Sequence, residues 1–320
     1  MSELRGARVL ITGGAGFIGS HLAERLVADG ATVVLFDNHR RDSLGAVPAL
    51  AAHDGVRVVP GDVLDRDALT TAMRGVDSVL HLAAIAGVSS YYAEPLRTLE
   101  VNVLGTVNAL EAARACGVRQ FIDFSTSEVY GPDALWVDEE SAHGIGPVSD
   151  QRWVYATSKL ASEHFTLRFG EQYGMATACV RPFNIYGPRQ TGEGAIGNFC
   201  RAAVRGEPLR VHGDGSAIRA WCYVTDVVDG VLRLMTTPEA AGRSYNLGNP
   251  REVETTLGLA RRIVGLRPGA RIELQEVHRS DVRVRIPVIE RARSVLGFEP
   301  QVALDEGLTR TLAWFEEQQR

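Results

Sequence analysis

A glycine-rich run, Thr12-Gly13-Gly14-Ala15-Gly16-Phe17-Ile18-Gly19-Ser20, follows the apolar stretch Val9-Leu10-Ile11 and opens the helical pattern His21-Leu22-Ala23-Glu24-Arg25-Leu26. Strand, glycine turn and helix in that order leave few folds open. Gly13 and Gly16 suit a tight turn where backbone must approach a pyrophosphate, and Gly19 lets the helix pack close on the strand. The helix N-terminus adds amide donors and the positive end of its dipole. Such an element is built for a dinucleotide. The next strand, Thr32 to Phe36, runs into Asp37, eighteen positions after Gly19 (37 − 19 = 18). A carboxylate there bonds the ribose hydroxyls and repels the extra phosphate of NADP, so NAD is the expected cofactor, with Arg40 and Arg41 just beyond able to soften the preference.

Short apolar runs continue at Val56 to Val59, Ser78 to Leu82, Phe121 to Phe124 and Ala176 to Val180, separated by longer amphipathic stretches. Near-continuous apolar strands alternating with helices are what a parallel sheet covered on both faces requires. The expected fold is therefore α/β, a doubly wound parallel sheet. Gly61-Asp62-Val63 follows the third strand and faces the adenine edge, and His81-Leu82-Ala83-Ala84 ends the fourth, where small residues let a ligand lie against backbone; His81 itself reads as structural. Helices are expected from Pro95 to Cys116, from Trp153 to Tyr173 and, closing the chain, from Ala303 to Gln319. Beyond Val180 the alternation breaks. The expected division is a dinucleotide-binding domain over 1–182, with a return segment near 224–248, and a discontinuous substrate lobe of α/β type over 183–320.

At 320 residues, with 45% hydrophobic and 23% charged residues, the chain has ordinary globular composition. A net charge of −5 without a basic block argues against nucleic acid as a partner. Cys116, Cys179, Cys200 and Cys222 form no C-x-x-C pair, so neither a disulfide framework nor a metal site is expected, and the thiols read as reduced and mostly buried. No apolar run approaches the roughly 18 residues a membrane span needs, and a cytoplasmic protein without a membrane partner is expected.

The fifth strand runs into Ser125-Thr126-Ser127-Glu128-Val129-Tyr130-Gly131, which places hydroxyls and a carboxylate at the sheet edge. Tyr155 and Lys159 are four apart on a predicted helix and share a face, where the ammonium favours the phenolate and holds the cofactor ribose. With the glycine turn, this is a hydride-transfer constellation. A non-catalytic NAD-sensing module would have no use for an intact Tyr155 and Lys159.

Taken together, TGGAGFIG, STSEVYG, YATSK and RPFNIYGPR resemble the extended short-chain dehydrogenase/reductases that act on nucleotide sugars, over essentially the whole chain. The stretches Glu94 to Leu99, Ser125 to Gly131, Gly146 to Tyr155 and Arg285-Ile286-Pro287 are most similar to UDP-glucuronate decarboxylases, including UDP-xylose synthases. That resemblance implies an NAD-dependent enzyme, a UDP-sugar substrate and a homodimer formed through the helices at 95–116 and 153–173. It implies that Thr126 and Tyr155 act at the sugar 4-oxygen, Ser127 and Glu128 near C5, and Arg285 at the substrate carboxylate. Phe17, Ile18, Asn38 and Asn102 would join the glycines, Asp62, Val63, Leu82, Ala83 and Ala84 on the cofactor. Asn184 and Arg219 would hold the sugar nucleotide, with Arg210, Tyr223 and His278 as further candidates. The alternative is an NDP-sugar 4-epimerase, which shares the oxidation residues. One departure stands out: the glycine-rich loop 190–198 is shorter than the family's and has Gly194 close to where an arginine belongs, and its glycines predict mobility until substrate binds.

Overall fold

The computed structural model describes residues 4–276 and 282–319. Seven parallel strands form its central sheet, in the order Arg243–Leu247, Ala176–Pro182, Gln120–Phe124, Ser78–His81, Arg8–Thr12, Thr32–Asp37 and Val56–Pro60. Val9, Leu10 and Ile11 are wholly buried, as a strand with helices on both faces must be. The strand order turns back between Arg8–Thr12 and Ser78–His81. A doubly wound sheet opens its ligand crevice at such a switch point, and the glycine turn and Leu82-Ala83 follow these two strands.

A second, mixed sheet joins strands from distant parts of the chain, in the order Val253–Thr255, Ile218–Ala220, Val284–Pro287 and Asp133–Val137. Arg219 and Arg285 are register partners on its two parallel middle strands, so both arginines project from the same face.

The expected single helix from Pro95 to Cys116 is instead three pieces. Helical turns at Pro95–Leu99 and Gly105–Ala115 flank a π-helical stretch, Glu100–Leu104. Beside that stretch the Asn102 carbonyl accepts from the hydroxyls of Thr106 (2.7 Å) and Ser162 (2.8 Å). The glycine-rich stretch 190–198 is not loop throughout. Residues from Ala195 already belong to the helix Ala195–Arg205, and the preceding residues are tied across the cavity mouth. Glu193 accepts from the backbone N–H of Ser89 at 2.8 Å and lies 3.7 Å from Arg41, while Thr191 meets the Ser43 hydroxyl at 3.0 Å.

Candidate active site

Glycine is required at the turn for two separate reasons. Gly13 has φ +68°, and a Cβ on it would stand 2.8 Å from the Ala83 nitrogen; a Cβ on Gly19 would stand 2.6 Å from the Gly13 carbonyl oxygen. Backbone therefore lies bare at the crevice floor. No side chain caps the helix Phe17–Ala28, which leaves its N-terminal end to a ligand. Above this floor is a cavity of about 390 Å³, lined at one end by Asp37, Asn38, Asp62 and Val63 and at the other by Ser125 and Tyr155. Gly16, Phe17, Ile18, Leu82, Ala83 and Ala84 line the stretch between. The bare turn, the uncapped helix and the terminal carboxylate fit NAD, and the volume lies within the ordinary range of ligand sites.

Asp37 is buried, and it holds the turn as well as facing the cavity. Its carboxylate accepts from the N–H groups of Ala15 (3.0 Å) and His39 (2.7 Å). Burial pushes its carboxyl above the usual range, and those two donors work against the rise. Arg40 is paired with Glu94 and Arg41 with Glu193, so each guanidinium beside the adenosine end already has its own carboxylate.

Beside Tyr155, next to the cavity, the structure brings together residues that the sequence keeps far apart. Thr126 caps the short turn Ser127–Tyr130 by accepting from the Glu128 N–H at 3.2 Å, and its hydroxyl hydrogen-bonds Tyr155. Ser127 is buried in the same turn. Arg152 donates to Glu128 at 2.6 Å, and Arg285 lies 3.7 Å from the other oxygen of that carboxylate. Burial alone would raise the Glu128 carboxyl, but Arg285 and Arg152, with Arg219 behind them, overcome it and hold it below the usual carboxylate range. Tyr155 moves the opposite way: burial, and then the charge of Glu128, push its phenol well up, against the Thr126 hydrogen bond.

Lys159 is almost wholly buried and bonds Asp123 at 3.2 Å. Asn184, in a left-handed conformation at φ 41°, donates to the Ala220 carbonyl and so joins the strand that carries Arg219. Of the residues expected on the cofactor, Lys159 and Asn102 are not in the cavity lining. Asn102 is spent within the core, accepting from the Ile85 N–H and donating to the Ile85 carbonyl and the Ser158 hydroxyl. Arg210 is exposed on the outlying strand Leu209–His212. Tyr223 is buried edge-on against Tyr186, and His278 lies outside the described residues. His81 is a core histidine, its two ring nitrogens bonded to Thr12 and Thr106.

Three site residues escape a reading of the sequence. Arg152 lies in a stretch without periodic signal, three residues before Tyr155. Tyr91 stacks on Tyr155 with ring centroids 5.9 Å apart and planes within 4°, its hydroxyl buried and without a hydrogen-bond partner among the described residues. Asp123 is hidden inside an apolar strand. A charged residue within such a strand was the one available signal.

Residues 9–248 match the family described as NAD dependent epimerase/dehydratase. The chain is 34% identical to UDP-glucuronic acid decarboxylase 1 of Xenopus tropicalis, over 99% of this chain and 74% of that one. Among solved structures it is similar to an epimerase from Methanothermobacter thermautotrophicus, with a TM-score of 0.90, 33% identity and coverage of 99% and 94% of the two chains. It is also similar to a UDP-glucuronic acid 4-epimerase from Bacillus cereus solved with UDP-glucuronic acid and NAD, with a TM-score of 0.88, 27% identity and coverage of 97% and 99%.

Proposed function

Because the chain belongs to the NAD dependent epimerase/dehydratase family, we propose that it is an NAD-dependent UDP-glucuronate decarboxylase, giving UDP-4-keto-pentose, UDP-xylose or both. The observation that carries the reading is Glu128, a half-buried carboxylate held between Arg152 and Arg285 beside Tyr155. A site for neutral sugars has little use for that arrangement. Relatives bearing the decarboxylase name, at 34% identity over 99% of this chain, support it.

When bound, NAD supplies the chemistry of accepting a hydride from sugar C4 and returning it. The chain's own residues handle protons and charge. Tyr155 takes the 4-hydroxyl proton, with Thr126 bonded to its oxygen and Lys159 one helical turn away. The carboxylate of a uronate, bound by Arg285, then lies β to a ketone. Loss of CO₂ breaks the C5–C6 bond and leaves the electron pair on an enolate oxygen, which Thr126 and Tyr155 meet as donors. Glu128 repels the substrate carboxylate that Arg285 grips, and that repulsion vanishes as neutral CO₂ leaves, so it lowers the barrier to expulsion. The Ser127 hydroxyl then passes its proton to C5 and is reprotonated from solvent along a relay past the Glu128 carboxylate, which stays ionised.

The diphosphate is assigned to Arg219 and Asn184. Leu96, Leu104, Phe165 and Tyr173 are exposed on the two helical segments expected to pair, and a homodimer through them accounts for large apolar groups at the surface. A monomer in sedimentation at micromolar concentration would remove that part. No helix among the described residues is long and apolar enough to cross a membrane. We assign the protein to the cytoplasm, where its four free cysteines stay reduced.

The deciding experiment incubates the protein with NAD and UDP-glucuronate and follows both released CO₂ and product mass. Loss of one carbon is expected. A product of unchanged carbon count would make the chain a 4-epimerase.

A further inference from the structure

Asp123 lies in the strand Gln120–Phe124 and is wholly buried. Its register partners are His81 on one neighbouring strand and Cys179 on the other, so three titratable side chains form a row across one face of the sheet. The helix Val154–Tyr173 covers that row with Tyr155, Lys159 and Glu163, which its four-residue spacing puts on one stripe. Lys159 donates to one Asp123 oxygen at 3.2 Å. The other oxygen is buried without a hydrogen-bond partner among the described residues.

A carboxylate in such a place costs several kcal/mol of desolvation, and a buried ion pair returns little stability compared with apolar packing. The groups around it do not explain it. His81 is satisfied by Thr12 and Thr106, and burial, then the charge of Lys159, push it down to about 3. Cys179 is driven well up by burial and so is a neutral thiol. Glu163 is charged, but Arg181 answers it at 2.8 Å, and it also accepts from the Ser125 and Ser244 hydroxyls. The charge left facing Asp123 is that of Lys159, four residues from Tyr155. Burial raises the Asp123 carboxyl, and Lys159 opposes that rise.

We propose that Asp123 is a positioning residue: by pairing with Lys159 it anchors that ammonium one turn from Tyr155 and cancels part of its field, so the pair, alongside the Glu128 and Arg285 charges that also face the phenol, sets the pH at which the phenol serves as base. The inference rests on the reading of Tyr155 as the base, and it deepens that reading. A lone buried ammonium would drive Tyr155 towards phenolate in the resting protein. With Asp123 beside it, the phenol keeps its proton until higher pH, in keeping with the upward push that Asp123 exerts on Tyr155.

The test replaces the charge while keeping the shape, with Asp123→Asn, and uses Asp123→Ser as a second variant that still offers Lys159 an acceptor. Tyr155 is titrated by its phenolate absorbance, as the difference between each protein and its Tyr155→Phe counterpart, with NAD present and no sugar. Both variants should ionise at a pH about one unit lower than the wild type, the smaller end of what a neighbouring charge does to a pKa. The rising limb of NAD reduction by UDP-glucuronate should move down by the same amount. A folded variant whose midpoint stays put or rises overturns the proposal, and so does failure of both variants to fold, since Asp123 would then be scaffold only. The titration needs no substrate. If wild type releases no CO₂ while the midpoint still shifts, the decarboxylase reading fails and this one stands.

Discussion

The two ends of the site, the cavity over the glycine turn and the charged cluster beyond Tyr155, are built in opposite ways. At the adenosine end, contiguous backbone does the work: a glycine turn, an uncapped helix and Asp37 at the next strand end, all before residue 40. At the sugar end, Glu128, Arg152, Arg219 and Arg285 meet from four separate segments, and side-chain charge does the work. Backbone donors recognise a diphosphate whatever the rest of the molecule is, so that end needs only local geometry. Recognition of one sugar among many needs charges set against each other, which only distant segments can bring together.

Tyr155 stands where the two ends join, and changing it should have the largest effect. Tyr155→Phe removes only the acid–base oxygen, so turnover should fall by at least ~100-fold while NAD affinity and melting temperature stay near wild type. Near-normal NADH formation in that variant would mean the two ends do not meet there. Arg285→Ala comes next and should act on the sugar end alone. It removes a charged donor from the uronate and leaves Glu128 less compensated, so KM for UDP-glucuronate should rise roughly 10- to 100-fold, the scale of a hydrogen bond to a charged group. Equal weakening of UDP-glucose binding would show that Arg285 does not read the carboxylate.

The companion change, Glu128→Gln, separates expulsion from oxidation. CO₂ release should slow several-fold more than NAD reduction, because the repulsion it removes acts only after C4 is a ketone. Equal slowing of both would deny Glu128 a separate part. Gly13→Ala should damage the backbone end instead. Its Cβ would meet the Ala83 backbone at a φ that alanine disfavours, lowering stability by about 1–3 kcal/mol and weakening NAD binding. Calorimetric melting with and without NAD measures both. The smallest effect concerns cofactor choice. With Arg40 and Arg41 engaged by Glu94 and Glu193, Asp37 should favour NAD over NADP by about 1–2 kcal/mol, and equal affinities in a titration would pass control back to the arginines.

The sequence by itself determined the sheet, the glycine turn, Asp37 at the end of its strand and the placing of Tyr155 and Lys159 four apart on one helix, because each rests on spacing within one element. Periodicity of two or of 3.6 residues is a property of the chain, and so are glycines where backbone must stay bare. Of the sugar end, the sequence showed hydroxyls and a carboxylate at the close of the fifth strand, and only the resemblance implied their roles. Only the tertiary structure decided that Arg152 grips Glu128, that Tyr91 stacks on Tyr155 and that Asp123 pairs with Lys159. It also bonded Asn102 to Ile85 and Ser158 and replaced the middle of one helix with a π-helical stretch. The reason is physical. Electrostatic pairing falls off over a few ångströms, and which distant segments come within that range is fixed by how sheets and helices pack, which no local pattern encodes.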